Sequence, residues 1–216
     1  MNSPSSIATI PDMILFDSGQ QGLLVRLIRI DHKLFALINQ RWTNPFFDLV
    51  LPFLRQAEVW IPFYFFLLFF IMMNFGRRGW LWVFSFIMTV VISDLVSSSL
   101  VKHIFFRLRP CCSPEIEDHV RFLVNYCPYN SSSFTSSHAS NHFAMAFFIF
   151  LTLKQTGRIW SLVFLWAFLI SYAQVYVGVH FPFDVAGGAV LGSLIGCLMV
   201  FFFQTQFGPL TLKHAA

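Results

Sequence analysis

Five apolar stretches dominate this 216-residue chain, at residues 59–75, 80–101, 139–153, 159–177 and 185–203. A helix that crosses a bilayer needs about 17 to 25 predominantly apolar residues. The third stretch is short but extends back through Ser136. Only 11% of the residues are charged, whereas soluble domains carry about a quarter. The sequence therefore predicts an all-α integral membrane protein, built as a bundle of five transmembrane helices.

The N-terminal region has a different pattern. Its apolar pieces, at 23–30, 34–38 and 46–54, are short and are interrupted by charged residues and Pro45. Such a pattern is typical of amphipathic helices that lie on the membrane surface. A sixth span through residues 34–54 is the alternative. The predicted organisation is then surface helices at 1–57, a transmembrane core at 58–207 and a cytoplasmic tail at 208–216.

Basic residues in short loops predict the orientation, because such loops tend to remain in the cytoplasm. One side of the predicted bundle carries Arg77, Arg78, Lys154, Arg158 and Lys213. The opposite side carries the long loop at 105–135 and the short turn at 180–184. We therefore expect a multi-pass protein of the cell inner membrane whose long loop faces the periplasm or an equivalent outer space.

Three polar clusters lie at the ends of apolar stretches, all on that outer side. They are Lys102 with Arg109 and Pro110, then Ser136-Ser137-His138, then His180 with Asp184. Ionisable residues at membrane depth are rare and generally face a bundle interior or a water-filled cavity. Because the three clusters share one side, we predict that they form one functional site.

The first cluster suits a phosphate group. Lys102 and Arg109 are seven residues apart, so on a helix continuing from the second span they lie on nearly the same face. Their charges match a dianion, and the planar guanidinium can hold two phosphate oxygens. Alternatively, both cations contact lipid headgroups, as residues that flank a span commonly do.

The second cluster opens the third span. Ser136 and Ser137 place hydroxyls and free N–H groups at a helix N-terminus, which attracts anions, although Ser136 could simply cap the helix. His138 could transfer a proton near neutral pH. His142, one turn further on, raises a two-histidine metal site as an alternative. No carboxylate ligand lies near that pair in sequence, so a metal is not predicted.

In the third cluster, His180 and Asp184 are four residues apart, in a turn that leads into the last span. A carboxylate at this spacing can accept a hydrogen bond from one imidazole nitrogen and leave the other free as a nucleophile. The alternative is an interfacial histidine followed by a helix-capping aspartate.

Together the clusters resemble the three-part signature of the type 2 phosphatidic-acid phosphatase and haloperoxidase superfamily, in its membrane lipid phosphatase branch. The matching fragments are Lys102-x6-Arg109-Pro110, Ser136-Ser137-His138 and the run at 176–184 that contains His180 and Asp184. The resemblance implies a phosphatase that needs no metal or cofactor. It implies that His180 attacks phosphorus, Asp184 orients it and His138 protonates the leaving oxygen. Lys102, Arg109, Ser136 and Ser137 would hold the phosphoryl oxygens.

The implied substrates are phosphorylated membrane lipids: isoprenoid pyrophosphates, phosphatidylglycerol phosphate, phosphatidic acid or lipid A phosphates. Gln174 departs from the family pattern, which has arginine at this position in a Ser-Arg pair. Glutamine can donate hydrogen bonds to phosphate but carries no charge, so a weakly active or non-catalytic headgroup-binding relative, or a lipid phosphotransferase, is the alternative. Two accessory hypotheses follow: Arg107 could supply a second guanidinium to the site, and Asp94 could support its charge network.

The remaining signals are weaker. Cys111, Cys112 and Cys127 lie in the outer loop, where an oxidising compartment would permit one disulfide, but the sequence does not choose between a bridge and free thiols. The net charge is +4, without a basic run or an aromatic recognition motif, so no nucleic-acid partner is predicted.

Overall fold

The computed structural model describes residues 22–212. Residues 1–21 and 213–216, with Lys213, lie outside the described residues. Within that range the chain forms helices and no strand. Seven helices have ten residues or more: α1 Leu23–Ala36, α2 Pro45–Leu54, α3 Ile61–Phe75, α4 Arg77–Asp94, α5 Ser137–Leu153, α6 Leu162–Tyr176 and α7 Pro182–Phe207.

Four helical segments are long and apolar enough to cross a bilayer: Ala57–Phe75, Arg77–Ile104, Arg158–Tyr176 and Pro182–Phe207. They contain α3, α4, α6 and α7 with their short helical extensions. Large apolar side chains point outward from them, as expected for a surface that faces lipid; Phe65 and Phe69 on α3 are each 66% exposed. The prediction of an all-helical membrane bundle is confirmed.

The helix α5 occupies the centre of the bundle and packs against α4, α6 and α7. Ala144, Phe148 and Ile149 on α5 are fully buried. Trp82 of α4 donates an indole N–H to Thr152 Oγ1 at 2.8 Å, which satisfies a buried polar pair. With 17 residues, α5 is shorter than the four spanning segments, which have 19 to 28 residues, and its polar N-terminal turn lies within the bundle.

Glycines on α7 allow α5 and α7 to pack closely. Gly188, Gly192 and Gly196 lie against backbone carbonyls of Ser136, Ser140 and Ala144 respectively, and a Cβ at any of the three would overlap that carbonyl oxygen. Their four-residue spacing places the three glycines on one face of α7, which is typical of closely packed membrane helices.

Replacing Gly192 by leucine should therefore separate the two helices. Overpacking a core commonly lowers the free energy of unfolding by about 1–3 kcal/mol. We expect a loss at or above the upper end of this range, because the clash involves the backbone, which cannot move aside as a side chain can. Thermal unfolding in detergent measures the loss. Val190→Leu is the matched control, since Val190 is 63% exposed on the same helix; equal melting temperatures for the two variants would contradict the packing argument.

The alternative of a sixth span through residues 34–54 is wrong. A π-helical turn, Leu37–Arg41, extends α1, and the chain breaks at 42–44 before α2 begins at Pro45. With ten residues, α2 is about 15 Å long, roughly half the thickness of the hydrocarbon core.

Both N-terminal helices instead pack on one end of the bundle. Asn39, fully buried, donates its amide to the carbonyl oxygens of Arg121 and Tyr176, both at 2.8 Å. Asp48 on α2 accepts a hydrogen bond from Tyr176 Oη at 2.6 Å and pairs with Arg121 at 2.6 Å. The long loop and the N-terminal segment therefore cover the same end of the bundle.

Consecutive helices alternate in direction, so this covered end collects the C-terminal ends of α4 and α6 and the N-terminal ends of α5 and α7. The cysteines also lie here. The sulfur of Cys127 lies against those of Cys111 and Cys112, but it can bridge only one. The Cα–Cα distance to Cys111 is 6.1 Å and that to Cys112 is 7.1 Å. Only the first lies within the usual range of about 4.4–6.8 Å, which favours the pair Cys111–Cys127.

Candidate active site

A cavity of about 230 Å³ opens at the covered end of the bundle. Six residues predicted from the sequence line it: Lys102, Arg109, Ser137, His138, Gln174 and His180. They come from the end of α4, the long loop, the start of α5, the end of α6 and the turn before α7. The structure thus brings all three polar clusters to one place.

The protonation of His180 follows from its contact with Arg109. Arg109 Nη1 lies 3.0 Å from His180 Nε2, and because a guanidinium can only donate, Nε2 must accept. The neutral ring therefore carries its proton on Nδ1. Burial lowers the pKa of His180 to about 4, the Arg109 charge adds to this effect, and Asp184 opposes it. The imidazole is neutral at pH 7, with a lone pair on Nε2.

Asp184 lies near Nδ1, the second nitrogen of the His180 ring. Its Oδ2 lies 3.7 Å from His180 Nδ1, too far for a direct hydrogen bond. Ser133 Oγ lies between them: it donates to Asp184 Oδ2 at 2.5 Å and lies 3.4 Å from Nδ1. The N–H of Phe181 also donates to Oδ2, at 2.9 Å. The sequence did not point to Ser133; the only signal was the serine run at 131–133.

Arg107 does not line the cavity but binds the outer side of Asp184. Its Nη1 lies 2.8 Å from Asp184 Oδ1, and its Nη2 lies 2.6 Å from Asp31 Oδ2. The guanidinium stacks 4.1 Å from the Phe181 ring centroid. Asp31, on α1, is fully buried and also accepts the N–H of Phe183 at 2.9 Å. This placement differs from the hypothesis of a second guanidinium swung into the phosphate site.

Arg109 reaches the cavity from the loop rather than from a helix. The prediction of a helix continuing to Pro110 is wrong: the helix ends at Ile104, and Phe105 is extended. Arg109 is 5% exposed, and its Nη2 donates to Ser131 Oγ at 3.0 Å. Burial lowers its pKa to about 10, so the group is still cationic at neutral pH.

Lys102 follows a π-helical turn, Leu95–Val101, that extends α4. Such turns are frequent at functional sites. Asp94, directly before this turn, is exposed although it lies within an apolar stretch. Its Oδ1 accepts hydrogen bonds from Ser98 Oγ at 3.2 Å and Asn141 Nδ2 at 3.0 Å. Asp94 thus contacts the wall of the cavity through Ser98.

At the start of α5, the two serines differ. Ser136 caps the helix: its Oγ accepts the N–H of Ala139 at 3.4 Å, and its own N–H donates to Asp184 O at 3.0 Å. It is fully buried and does not line the cavity. Ser137 does line it, and its Oγ lies 3.0 Å from Ser98 Oγ.

His138 and His142 have different surroundings. His138 lines the cavity, whereas His142 packs its ring against Trp166 with 4.8 Å between centroids. The Nδ1 of His142 lies 2.8 Å from His138 O. Between residues 22 and 212, the one cluster with three metal-ligand side chains in reach of each other is Cys111, Cys112 and Cys127.

Comparison with known proteins agrees with this geometry, since residues 79–207 match the PAP2 superfamily. The chain belongs to the PAP2 superfamily. It is 32% identical to a lipid A 4'-phosphatase of Bacteroides thetaiotaomicron over 177 residues, 80% of this chain and 76% of that one. It is 31% identical to an undecaprenyl-diphosphatase of Sulfolobus acidocaldarius over 172 residues, 78% of this chain and 76% of that one.

The fold agrees as well. The crystal structure of Aquifex aeolicus LpxE superposes with a TM-score of 0.60 at 27% identity, over 80% of this chain and 95% of that one. The matched PAP2 region contains all three polar clusters. The protein is therefore a multi-pass membrane member of this superfamily, and the two relatives described above are named as lipid phosphatases.

Gln174 is the main departure from the PAP2 pattern. It is fully buried, and its backbone oxygen accepts the N–H groups of Val179 and His180 at 3.1 and 3.2 Å. Its side-chain Oε1 accepts from Nη2 of Arg55 at 3.2 Å. Arg55, between α2 and α3, also lines the cavity. No sequence signal marked it, because it lies outside the PAP2 match and among apolar pieces.

Proposed function

We propose that this protein hydrolyses a phosphate monoester or pyrophosphate on a membrane lipid, through a phosphohistidine at His180. The observation that carries the proposal is the buried, neutral imidazole of His180, whose Nε2 lone pair faces a cationic cavity. A nucleophile of this kind needs its other nitrogen held by an orienting group. Asp184, through Ser133, supplies that group.

The geometry supports a two-step reaction. His180 Nε2 forms a bond to phosphorus while the bond from phosphorus to the lipid oxygen breaks. His138 takes up the proton that the phosphate monoanion carries and passes it to that oxygen. Water then attacks the phosphohistidine, His138 takes up its proton, and His180 leaves with its Nδ1 proton retained. Phosphoryl transfer depends mostly on positioning and charge stabilisation, which Arg109 and Lys102 would provide once Arg109 exchanges its contact with Nε2 for a phosphoryl oxygen.

Two features support particular substrates and an orientation. Relatives that match about three-quarters of both chains include a lipid A 4'-phosphatase and an undecaprenyl-diphosphatase, so lipid A phosphate and polyprenyl diphosphate are the first lipids to test.

The orientation is supported by basic residues at the end of the bundle opposite to the cavity, which are Arg77, Arg78, Lys154 and Arg158. By the positive-inside rule, this supports a cavity on the periplasmic face of the inner membrane.

The test is phosphate release by the purified protein in detergent, with EDTA present. We expect release from at least one of lipid A, undecaprenyl diphosphate, phosphatidylglycerol phosphate and phosphatidic acid. Release should persist in EDTA, because the proposed steps depend on the positive charge of side chains. Tight lipid binding without release from any of the four would contradict the proposal and favour a headgroup-binding protein.

The pH dependence offers a separate prediction. Because the pKa of His180 is lowered to about 4, its imidazole should become protonated, and lose its nucleophilic lone pair, only below that pH. The acid limb of kcat/KM, which reports the free enzyme, should therefore fall near pH 4 rather than near 6.5. The profile must be corrected for the ionisation of the lipid phosphate, followed by ³¹P NMR. A corrected limb that falls near 6.5 would contradict a neutral, buried His180.

A further inference from the structure

Arg55 is a cation in the cavity without an anionic partner. Arg55 lines the same cavity as Lys102 and Arg109, and no carboxylate between residues 22 and 212 pairs with it. Its Nε is buried without a hydrogen-bond partner, as is the Nε2 of Gln174. A buried charged group that is not compensated is costly. Donors left open in this way match an anionic ligand that enters the cavity.

The position of Arg55 is set by packing against α6. Leu51 on α2 is buried in a cluster with Ala173 and Tyr176 of α6, and Trp60 Nε1 donates to Leu54 O at 2.7 Å, which fixes the corner after α2. Arg55 follows directly and reaches Gln174 at 3.2 Å. The chain that follows α2 therefore packs against two residues of α6, the small Ala173 and the neutral Gln174.

The chemistry of the pair is complementary. An arginine at position 174 would bring a second guanidinium within contact of Arg55, whereas glutamine offers Oε1 as an acceptor that orients one guanidinium N–H. The remaining N–H donors of Arg55 and the amide of Gln174 are then available to oxygens on one ligand. Burial lowers the pKa of Arg55, but an arginine remains protonated at neutral pH.

We propose that Arg55 is a phosphate-binding residue, which supplies from the N-terminal segment the guanidinium that position 174 lacks, with Gln174 as its orienting partner. The inference rests on the proposed function, and it makes residues outside the PAP2 match part of the active site. If Arg55 supplies the missing charge, the neutral Gln174 no longer implies weak activity.

The experiment compares four proteins: wild type, Arg55→Gln, Gln174→Arg and the double variant Arg55→Gln/Gln174→Arg. Removing one preorganised donor from such a site commonly reduces turnover about 10²- to 10³-fold. We expect that loss in kcat/KM for Arg55→Gln, with a parallel rise in the inhibition constant of inorganic phosphate. The double variant should recover to within about tenfold of wild type, since one guanidinium is restored. Arg41→Gln is the control, an exposed arginine of the same segment, and should leave both constants unchanged.

The outcomes separate the inference from the function on which it rests. If wild type releases phosphate, His180→Ala does not, and Arg55→Gln matches wild type, Arg55 is not a phosphate ligand although the function stands. The inference would also be overturned if Arg55→Gln lowered kcat/KM without changing the inhibition constant of phosphate, and the double variant did not recover activity. If wild type is inactive on all four lipids, the function fails, and ³¹P NMR titration with inorganic phosphate still decides whether Arg55→Gln weakens binding.

Folding of the variants is checked by thermal unfolding and gel filtration in detergent. Should Arg55→Gln not fold, Arg55→Lys retains the charge but not the planar fork. We expect its inhibition constant for phosphate to rise about tenfold, the equivalent of one lost hydrogen bond to a charged group. An unchanged constant in the folded lysine variant would overturn the proposal.

Discussion

Replacing His180 by alanine is expected to reduce phosphate release by at least about 10⁴-fold, because removal of a nucleophile disables the whole catalytic unit. In the wild type, Nε2 accepts from Arg109 at 3.0 Å and faces the cavity. Alanine leaves no atom there that can bond to phosphorus. Arg109 and Lys102 remain, so the variant should still bind the lipid headgroup.

The phosphoenzyme distinguishes this prediction from a general loss of structure. After brief reaction with a ³²P-labelled lipid, the wild type should carry a label that is lost in acid and retained in base, as expected for a phosphoramidate. The alanine variant should carry none. His138→Ala should still be labelled while its turnover falls about 10²- to 10⁴-fold, the usual contribution of a general acid–base group. A label that persists without His180 would place the nucleophile elsewhere.

Much of this site could be predicted because its residues lie at the ends of long apolar helices. The runs at 80–101 and 185–203 must be helical in a bilayer, since each backbone polar group has to be satisfied internally. Their ends are therefore predictable to within a few residues, and so is the side of the membrane on which each lies. That is why Lys102, His138 and His180 could be expected to meet before their contacts were known.

The parts that could not be predicted depend on contacts between distant residues. Arg55 and Gln174 are 119 positions apart, and Arg107 and Asp31 are 76 apart. No periodicity or local motif connects such pairs. The error about the helix beyond Ile104 has a related cause: Lys102 and Arg109 fit a helical spacing, but tertiary contacts hold the loop, with Arg107 N–H donating to Ser132 Oγ at 3.0 Å.

These contacts change the interpretation of the N-terminal segment. Amphipathic helices resting on the membrane would not need buried polar residues, yet α1 contributes Asp31 and its π-helical extension contributes Asn39, both fully buried. Asn39 binds the end of α6, and Asp31 binds the start of α7. We infer that the segment holds the two helix ends between which His180 lies, in addition to any contact with lipid.

Asp31→Ala is the second substitution with a large expected effect. Asp31 is fully buried, pairs with Arg107 at 2.6 Å and accepts the N–H of Phe183. Its removal leaves a guanidinium with one carboxylate instead of two and a backbone N–H without an acceptor. Breaking a buried pair commonly costs about 3–5 kcal/mol. Because Arg107 is 24% exposed, we expect a loss near the lower end, about 3 kcal/mol, in thermal or denaturant unfolding in detergent.

Activity should also fall, since Arg107 helps to hold Asp184 behind His180. Loss of a partner that orients a metal-bound histidine typically costs about 10- to 100-fold in activity, and we expect a similar loss here. The loss should fall on kcat with little change in KM, because the hydrogen-bond partners of Asp31, Arg107 and Phe183, do not line the cavity. Asp31→Asn retains an acceptor for the Phe183 N–H and should recover part of the stability, but less of kcat, since the charge opposite Arg107 is gone. Asp118→Ala, an exposed acidic residue of the outer loop, is the matched control. If Asp31→Ala behaves like that control in both unfolding and kcat, the chain from α1 through Arg107 to Asp184 has no part in positioning the catalytic pair.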